Sequence, residues 1–343
     1  MVRTDRTDRV SADDWKECFP LIGIGGGDEI NATTFTANGD YLVTGGSKGV
    51  RAWRVRDGMQ MATLEAWDAK CLAVSTDGRW IAAGTVGMGV FVWDAKTYEQ
   101  VLAGQGMWLL PGRAIYTVDF SPDSTRLVVA QGVRRTATIW NFLARKEVHT
   151  LHHESSVYVA KYSQDGGRIA TAGEDSVLVW DSDDGHLLAH IQVQMILNLD
   201  TIGLRWSNDH LFVISARKIE QIDVSTGSTV LRWPVPKGSA HIAMQHLPLI
   251  TYVARDRDDV MFWDTSKYTH HHLAHPPKDI CSIALSPDGR LLAIATGDGM
   301  VTVKPLLPHV TVSSLCCSFA WVPESAHFLQ HGSPPSTIFP CSV

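Results

Sequence analysis

An apolar run that ends in Trp-Asp recurs along this chain, at Trp93-Asp94, Trp180-Asp181 and Trp263-Asp264. Weaker copies stand at Trp53-Arg54, Trp140-Asn141, Ile222-Asp223 and Val303-Lys304. The intervals between the first residues of successive marks are 40, 47, 40, 42, 41 and 40. A repeat of this length cannot bury an apolar face alone, so copies must stack on one another.

A second mark keeps step with the first. Ser-Pro-Asp-Gly occupies 286–289 and Ser-Pro-Asp-Ser 121–124. Ser-Thr-Asp-Gly lies at 75–78, Ser-Gln-Asp-Gly at 163–166, Ala-Asn-Gly-Asp at 37–40 and Ser-Asn-Asp at 207–209. Each sits between two apolar runs, such as 115–120 and 126–130. Asp, Asn and Gly make tight hairpins because they tolerate positive φ and because Asx side chains bond nearby backbone. Short strands, hairpins and a period near 40 predict an all-β fold: a seven-bladed β-propeller of four-stranded antiparallel blades.

Through its Trp-Asp strand ends and Ser-Pro-Asp-Gly turns the chain resembles the WD-repeat family, over roughly residues 19 to 304. The resemblance is specific for fold and poor for function, because this fold hosts many unrelated interactions. It implies structural roles for the strand-end Trp53, Trp93, Trp140, Trp180 and Trp263. In blade four it implies a buried hydrogen-bonded set of Trp180, Thr171, His153 and Asp175, although the turn there is one residue short. Blade one has Gly27-Asp28 and blade two Trp67-Asp68 where that set would place its histidine. The resemblance also implies that 19–24 completes the last blade and covers an edge otherwise unpaired. The apolar stretch 310–322 is the competing candidate for that edge.

The repeats override the two domains that 343 residues would suggest. Three parts are expected: a disordered tail over 1–16, the propeller over 17–304 and an off-pattern tail over 305–343. Net charge is −6, so no global basic field favours nucleic acid. None of the six cysteines forms Cys-x-x-Cys, and the polar start carries no secretory apolar region. Free thiols in a reducing, intracellular compartment are the expectation, cytoplasmic with the nucleus as alternative. No apolar run reaches ~18 residues, so no membrane span is expected.

The long third interval arises in two places: Gly104–Arg113, with its apolar 107–111, and Gln131–Thr136. In the resembled family, between-blade connections and second-to-third-strand connections open on one face. That would bring together Trp108, Leu109, Arg113, Arg134 and Arg135, joined by Arg217 and Lys218 from blade five and by Arg255 and Arg257 from blade six. Trp and Arg are the residues most enriched at interface hot spots. The plainer alternative tucks Trp108 between blades two and three and leaves the arginines to solvate a loop.

His270-His271-His272 lies on an expected strand, where only His270 and His272 share a face, too few for a closed zinc site. Neighbouring Cys316 and Cys317 read as strand filling, since a disulfide between them is strained. No phosphate-binding glycine loop or His-Glu-x-x-His is present. The reading is a non-catalytic protein-interaction scaffold or adaptor with protein partners, without metal or cofactor, a monomeric ring alone or within a larger complex. Two alternatives stand beside it. One is a propeller hydrolase or lactonase using polar first-strand residues such as Asp119 and Lys161. The other is a substrate receptor of a cullin-type ubiquitin ligase, disfavoured because Lys96, Asp183 and Ser266 stand where Trp-Asp-x-Arg needs arginine.

Overall fold

The computed structural model describes residues 22–23, 29–103, 114–193, 203–215, 218–235, 239–244, 249–254, 259–264, 269–274 and 280–306. Residues 1–307 form one compact unit and 308–343 another. The expected tails over 1–16 and 305–343 lie almost wholly outside the described residues.

Seven four-stranded antiparallel sheets make up the first unit. Lettering strands a to d in pairing order, blade one runs Ile30–Phe35, Tyr41–Gly46, Gly49–Arg54 and Met59–Leu64. Blade two runs Ala69–Val74, Trp80–Thr85, Val90–Asp94 and Gln100–Leu102. Blade three runs Thr117–Phe120, Arg126–Gln131, Thr136–Asn141 and Lys146–His152, and blade four Val159–Tyr162, Arg168–Ala172, Ser176–Asp181 and Leu187–Gln192. Blade five is Gly203–Ser207, His210–Ile214, Lys218–Asp223 and Ser228–Pro234. Blade six is Ser239–Met244, Leu249–Ala254, Asp259–Asp264 and Thr269–Ala274. Blade seven takes Ile280–Leu285, Leu291–Thr296 and Met300–Pro305 from the end of the ring and Ile22–Gly23 from its start. The a strands of blades seven, one, two, three, four and five neighbour one another in turn, and that of blade six meets blade seven.

One expected a strand shifts. In blade three the strand begins at Thr117, not Ile115. The backbone of Ile115 is taken by blade two, through Ile115 N–H to Thr85 O at 3.1 Å. The a strand of blade six, Ser239–Met244, has an irregular register between Ala240 and Ala243.

The a–b turns explain why Ser and Asp recur. Ser75 Oγ donates to Asp77 Oδ1 at 2.5 Å and accepts from Trp80 N–H at 2.8 Å, while Asp77 Oδ1 also accepts Arg79 N–H at 3.0 Å. Ser163 and Asp165, and Ser286 and Asp288, repeat the arrangement. The following glycine adopts positive φ, +71° at Gly78 and +77° at Gly166, the region an L side chain disfavours. In blade three Ser124 holds it instead, at +59°.

The Trp mark coincides with a bulge. Pairing of strands c and d slips beside Trp53, Trp93, Trp140 and Trp180, and beside Ile222 in blade five. A bulge raises local twist, which a blade needs to fan away from its neighbours.

The core lies between blades. Blades two and three share one apolar cluster, including Trp80, Val118, Leu127 and Phe142. Others join three to four, four to five, one to two and five to six. A further cluster joins blade one to blade seven, through Ile30, Leu42 and Trp53 against Ala293, Val301 and Val303. Polar a-strand contacts reinforce the same closure: Thr33 N–H donates to Ser282 Oγ at 3.1 Å.

Candidate interaction face

Antiparallel blades present two different ends. Turns a–b and c–d lie at one; b–c turns and the d-to-a connections lie at the other. The second end carries the residues of interest.

Between blades one and two the connection is clamped by backbone. Asp68 N–H donates to Ser47 O at 3.3 Å, and Val86 N–H donates to Asp68 O at 3.1 Å. Asp68 takes a positive φ of +53° to reach both b–c turns. Trp67, beside it, is left 56% exposed, and Met88 on the adjoining b–c turn 37%. A tryptophan more than half exposed on a clamped backbone is unusual, because its large apolar ring gains most from burial.

Blade three continues this end. Its b–c connection is a 3-10 turn, Gly132–Arg134, closed by Arg135 in the left-handed region at φ +57°. Arg134 and Arg135 are both exposed. Gly132 sits so close to Tyr116 that a Cβ would lie 2.6 Å from the ring. Tyr116 packs edge-on against Tyr158 at 5.2 Å, and the Tyr158 hydroxyl donates to Glu174 Oε1 at 3.0 Å. The end of blades one to four thus combines an indole, a thioether, two phenols and two guanidinium groups on fixed turns.

Other expected surface residues fall elsewhere. Trp108, Leu109, Arg113, Arg217, Arg255 and Arg257 lie outside the described residues. Lys218 is engaged by Glu220 Oε2 at 2.8 Å, and Arg232 pairs with Glu220 Oε1 at 2.7 Å.

The blade-four set is built around one hydroxyl. Thr171 Oγ1 accepts the Trp180 indole N–H at 2.7 Å, and His153 Nε2 lies 2.7 Å from the same oxygen. Asp175 bonds Ser155 Oγ at 3.2 Å. Burial lowers the His153 pKa to about 4, opposed by the Asp175 charge, so the ring is neutral at pH 7. In blade one, Trp53 donates to Thr44 Oγ1 at 3.0 Å. Trp93 and Trp140 are buried, and the side chain of Trp263 lies outside the described residues.

The polar a-strand residues tie blades together. Lys161 Nζ meets Asp119 Oδ1 at 2.7 Å, while Asp119 Oδ2 accepts Tyr162 N–H at 2.9 Å. Both oxygens of this carboxylate are therefore occupied in joining blade three to blade four. Cys71 and Cys281 are in no disulfide; burial pushes Cys71 up to about 12, which holds it as an inert thiol. Among the described residues, one group of metal-capable side chains converges, Asp181, Asp184 and His186 in the exposed c–d turn of blade four. Asp181 Oδ1 there accepts the N–H groups of Asp183 and Asp184, and Asp184 is bonded to His186 Nδ1. The strand bearing His270 to His272 is the d strand of blade six. No helix among the described residues is long and apolar enough to cross a membrane.

Comparison with known proteins agrees with this architecture. The family profile described as "WD domain, G-beta repeat" matches residues 58–94, 145–181 and 266–303. Each match runs from the d strand of one blade through the c strand of the next, so the sequence repeat is staggered against the blade. Similar curated proteins include apoptotic protease-activating factor 1 of Danio rerio, 25% identical over 59% of this chain and 17% of that protein. WD repeat-containing protein 1 of Gallus gallus is 37% identical over 25% of this chain and 14% of that protein. Protein tipD of Dictyostelium discoideum is 26% identical over 76% of this chain and 45% of that protein. The chain therefore spans less than half the length of these relatives. Among solved structures, U3-55K aligns with TM-score 0.68 at 15% identity, over 85% of this chain and 99% of that one, a likeness of fold.

Proposed function

The chain is a WD-repeat protein, and from that premise we propose that it works by binding other proteins, as a non-catalytic scaffold. The observation that carries this reading is Trp67, 56% exposed on a backbone clamped between two b–c turns. Rigid strands hold the turns, and the turns present side chains of the types that dominate binding energy. Met88, Tyr116, Tyr158, Arg134 and Arg135 extend the surface across blades two to four. The pairing of Asp119 with Lys161 favours a structural over an acid–base role for these two groups, and so weighs against the hydrolase alternative.

The test is affinity capture from lysate of the source cells with quantitative mass spectrometry. The wild type is compared with Trp67→Ala/Arg134→Glu/Arg135→Glu and with Thr125→Glu at the opposite end. Thermal melting checks that each variant is folded. Partners lost from the triple variant and kept by Thr125→Glu support the assignment. Partners kept by both variants overturn it. A hot-spot tryptophan contributes about 2 kcal/mol or more, so Trp67→Ala alone is expected to weaken binding about thirtyfold.

A further inference from the structure

Blade five departs from the repeat at two positions on one face of its c strand. In blade two these positions hold Phe91 and Trp93, both buried and stacked at 5.8 Å. Blade four has Leu178 and Trp180, also buried. Blade five has Glu220 and Ile222. An isoleucine in place of an indole leaves space that close packing elsewhere removes. Both residues line a cavity of about 280 Å³, set between the d strand of blade four and the c and d strands of blade five. Its apolar wall is Ile191 and Val193 of blade four with Ile222 of blade five.

The polar wall is an ion triad. The Glu220 side chain is 5% exposed, and both of its oxygens are engaged. Lys218 Nζ stands 2.8 Å from Oε2, and Arg232 donates to Oε1 from Nε at 2.9 Å and from Nη2 at 2.7 Å. All three residues line the cavity. Replacing a buried ion group by apolar residues of similar volume is often neutral or stabilising. Stability therefore does not account for a carboxylate where blades two and four carry Phe91 and Leu178. Its effect is to hold two long cationic side chains in one geometry. The lysine side chain is 23% exposed and the arginine side chain 60%, so both remain reachable. One carboxylate against two cations leaves the triad net positive, and the charged groups with capacity to spare, Lys218 Nζ and Arg232 Nη1, are donors. Between the lining residues Thr229 and Arg232, Val230 and Leu231 are 49% and 51% exposed. The d strand that carries them is the outermost of its sheet, with one edge unpaired.

We propose that this cavity receives a glutamate side chain from an extended segment of a partner protein, its carboxylate bonded by Lys218 Nζ and Arg232 Nη1. A carboxylate supplies the acceptors and the negative charge that the triad lacks, and charge-assisted bonds of this kind are the strong ones. The methylene stem would lie on Ile191, Val193 and Ile222. An extended segment can run along the unpaired edge of the d strand. Val230 and Leu231 then give apolar neighbours of the glutamate a surface, which a free inorganic anion cannot use. That favours a protein segment over a small anion. The site lies apart from the face around Trp67 and does not depend on it.

The test uses the full chain labelled with nitrogen-15, its arginine Nε–H signals followed by NMR, the Arg232 signal being the one absent from Arg232→Gln. The probes are acetyl-Leu-Glu-Leu-amide, its glutamine counterpart and inorganic phosphate. The glutamate peptide is expected to shift the Arg232 signal saturably, with a dissociation constant near or below about 1 mM. The glutamine peptide is expected to bind at least about fivefold more weakly. Lys218→Gln removes one of the two donors and is expected to weaken binding roughly fivefold. Ile222→Trp places the strand-end indole of blades one to four in the cavity and is expected to abolish the shift, with thermal melting as the check on folding. No saturable shift overturns the proposal, and so does an equal response to the glutamine peptide. Phosphate acting at or below the concentration of the peptide makes the site one for free oxyanions and overturns the partner. Undiminished binding by a folded Ile222→Trp overturns the cavity as the seat. If that variant does not fold, undiminished binding by Lys218→Gln overturns it equally.

Discussion

At the scale of single residues, one hydroxyl decides blade four. Thr171 Oγ1 meets both the Trp180 indole and the His153 imidazole at 2.7 Å, and all three residues are buried. Thr171→Val keeps the shape and leaves two buried groups unsatisfied. A buried unsatisfied group costs about 1–3 kcal/mol, so the substitution is expected to destabilise by roughly 2–5 kcal/mol in urea melts. Thr44→Val in blade one removes a single partner, that of Trp53, and about half the effect is expected. His153 gives the set a pH signature. Its folded pKa, lowered by burial to about 4, lies below the value near 6.5 of the unfolded chain. The unfolded state therefore binds the extra proton. The contribution of the neutral ring is fully present above pH 6.5 and is lost as pH falls toward 4, at most about 3 kcal/mol. Melts of the wild type between pH 7 and 4 should fall more steeply than those of His153→Gln; parallel curves would refute the assignment. Thr171, His153 and Trp180 are all legible from the family pattern. The partner of Asp175 is not. With the turn one residue short, Ser155 takes its carboxylate, and that depends on backbone geometry that side-chain spacing does not encode.

At the scale of the strand and the turn, the sequence is at its most readable, because the two periodicities there are local. Alternation within a strand and Ser-x-Asp-Gly between strands follow from the pleat and from the left-handed residue in the turn. What stays hidden is the contact between turns of neighbouring blades. A Cβ on Gly166 of blade four would stand 3.3 Å from Pro122 of blade three, one on Gly78 of blade two 3.8 Å from Ala37 of blade one, and one on Gly39 of blade one 3.8 Å from Pro287 of blade seven. At these three junctions the second turn position of one blade stands beside the fourth of the next. Gly289 adopts φ +70° with nothing within 4 Å of a would-be Cβ, so it isolates the backbone effect. Gly289→Ala is expected to cost about 1 kcal/mol, the penalty for an L residue in that region. Gly166→Ala carries the same penalty and presses a methyl to 3.3 Å from Pro122, so it should cost measurably more. The double variant Gly166→Ala/Pro122→Ala restores the difference if the contact is its cause. Equal destabilisation by the two single glycine substitutions would show that the turns do not support one another.

At the scale of the whole propeller, spacing predicts seven blades and says little about which end works. The exposure of Trp67 depends on where a clamped connection leaves a side chain. The sequence signal was only that Trp67-Asp68 stands where the family pattern expects histidine. Arg134 and Arg135 were legible as an insertion, but not their posture on a 3-10 turn that needs Gly132 to clear Tyr116. Ring closure is the property that depends on residues furthest apart. Ile22 pairs with Val301 and Gly23 with Met300, so the last blade borrows its outer strand from the opposite end of the sequence. Apolar burial between blades one and seven continues the seam, and among the described residues this pairing is what covers the edge of Met300–Pro305. Without residues 1–28 that strand becomes an open edge, a template for association between copies. The direct loss is small, about 1–2 kcal/mol for two ladder hydrogen bonds. The colloidal effect should be larger, because Val301 and Val303 sit in the strand left open. The shortened chain is therefore expected to melt lower and to self-associate with rising concentration in light scattering. A synthetic peptide of residues 17–28 added in excess should reverse both effects, since it supplies the missing strand in trans. A shortened chain that stays monomeric and melts like the full one would mean that the edge is covered from elsewhere. Rescue by the peptide would instead assign the cover of that edge to the pairing of the first strand with the last.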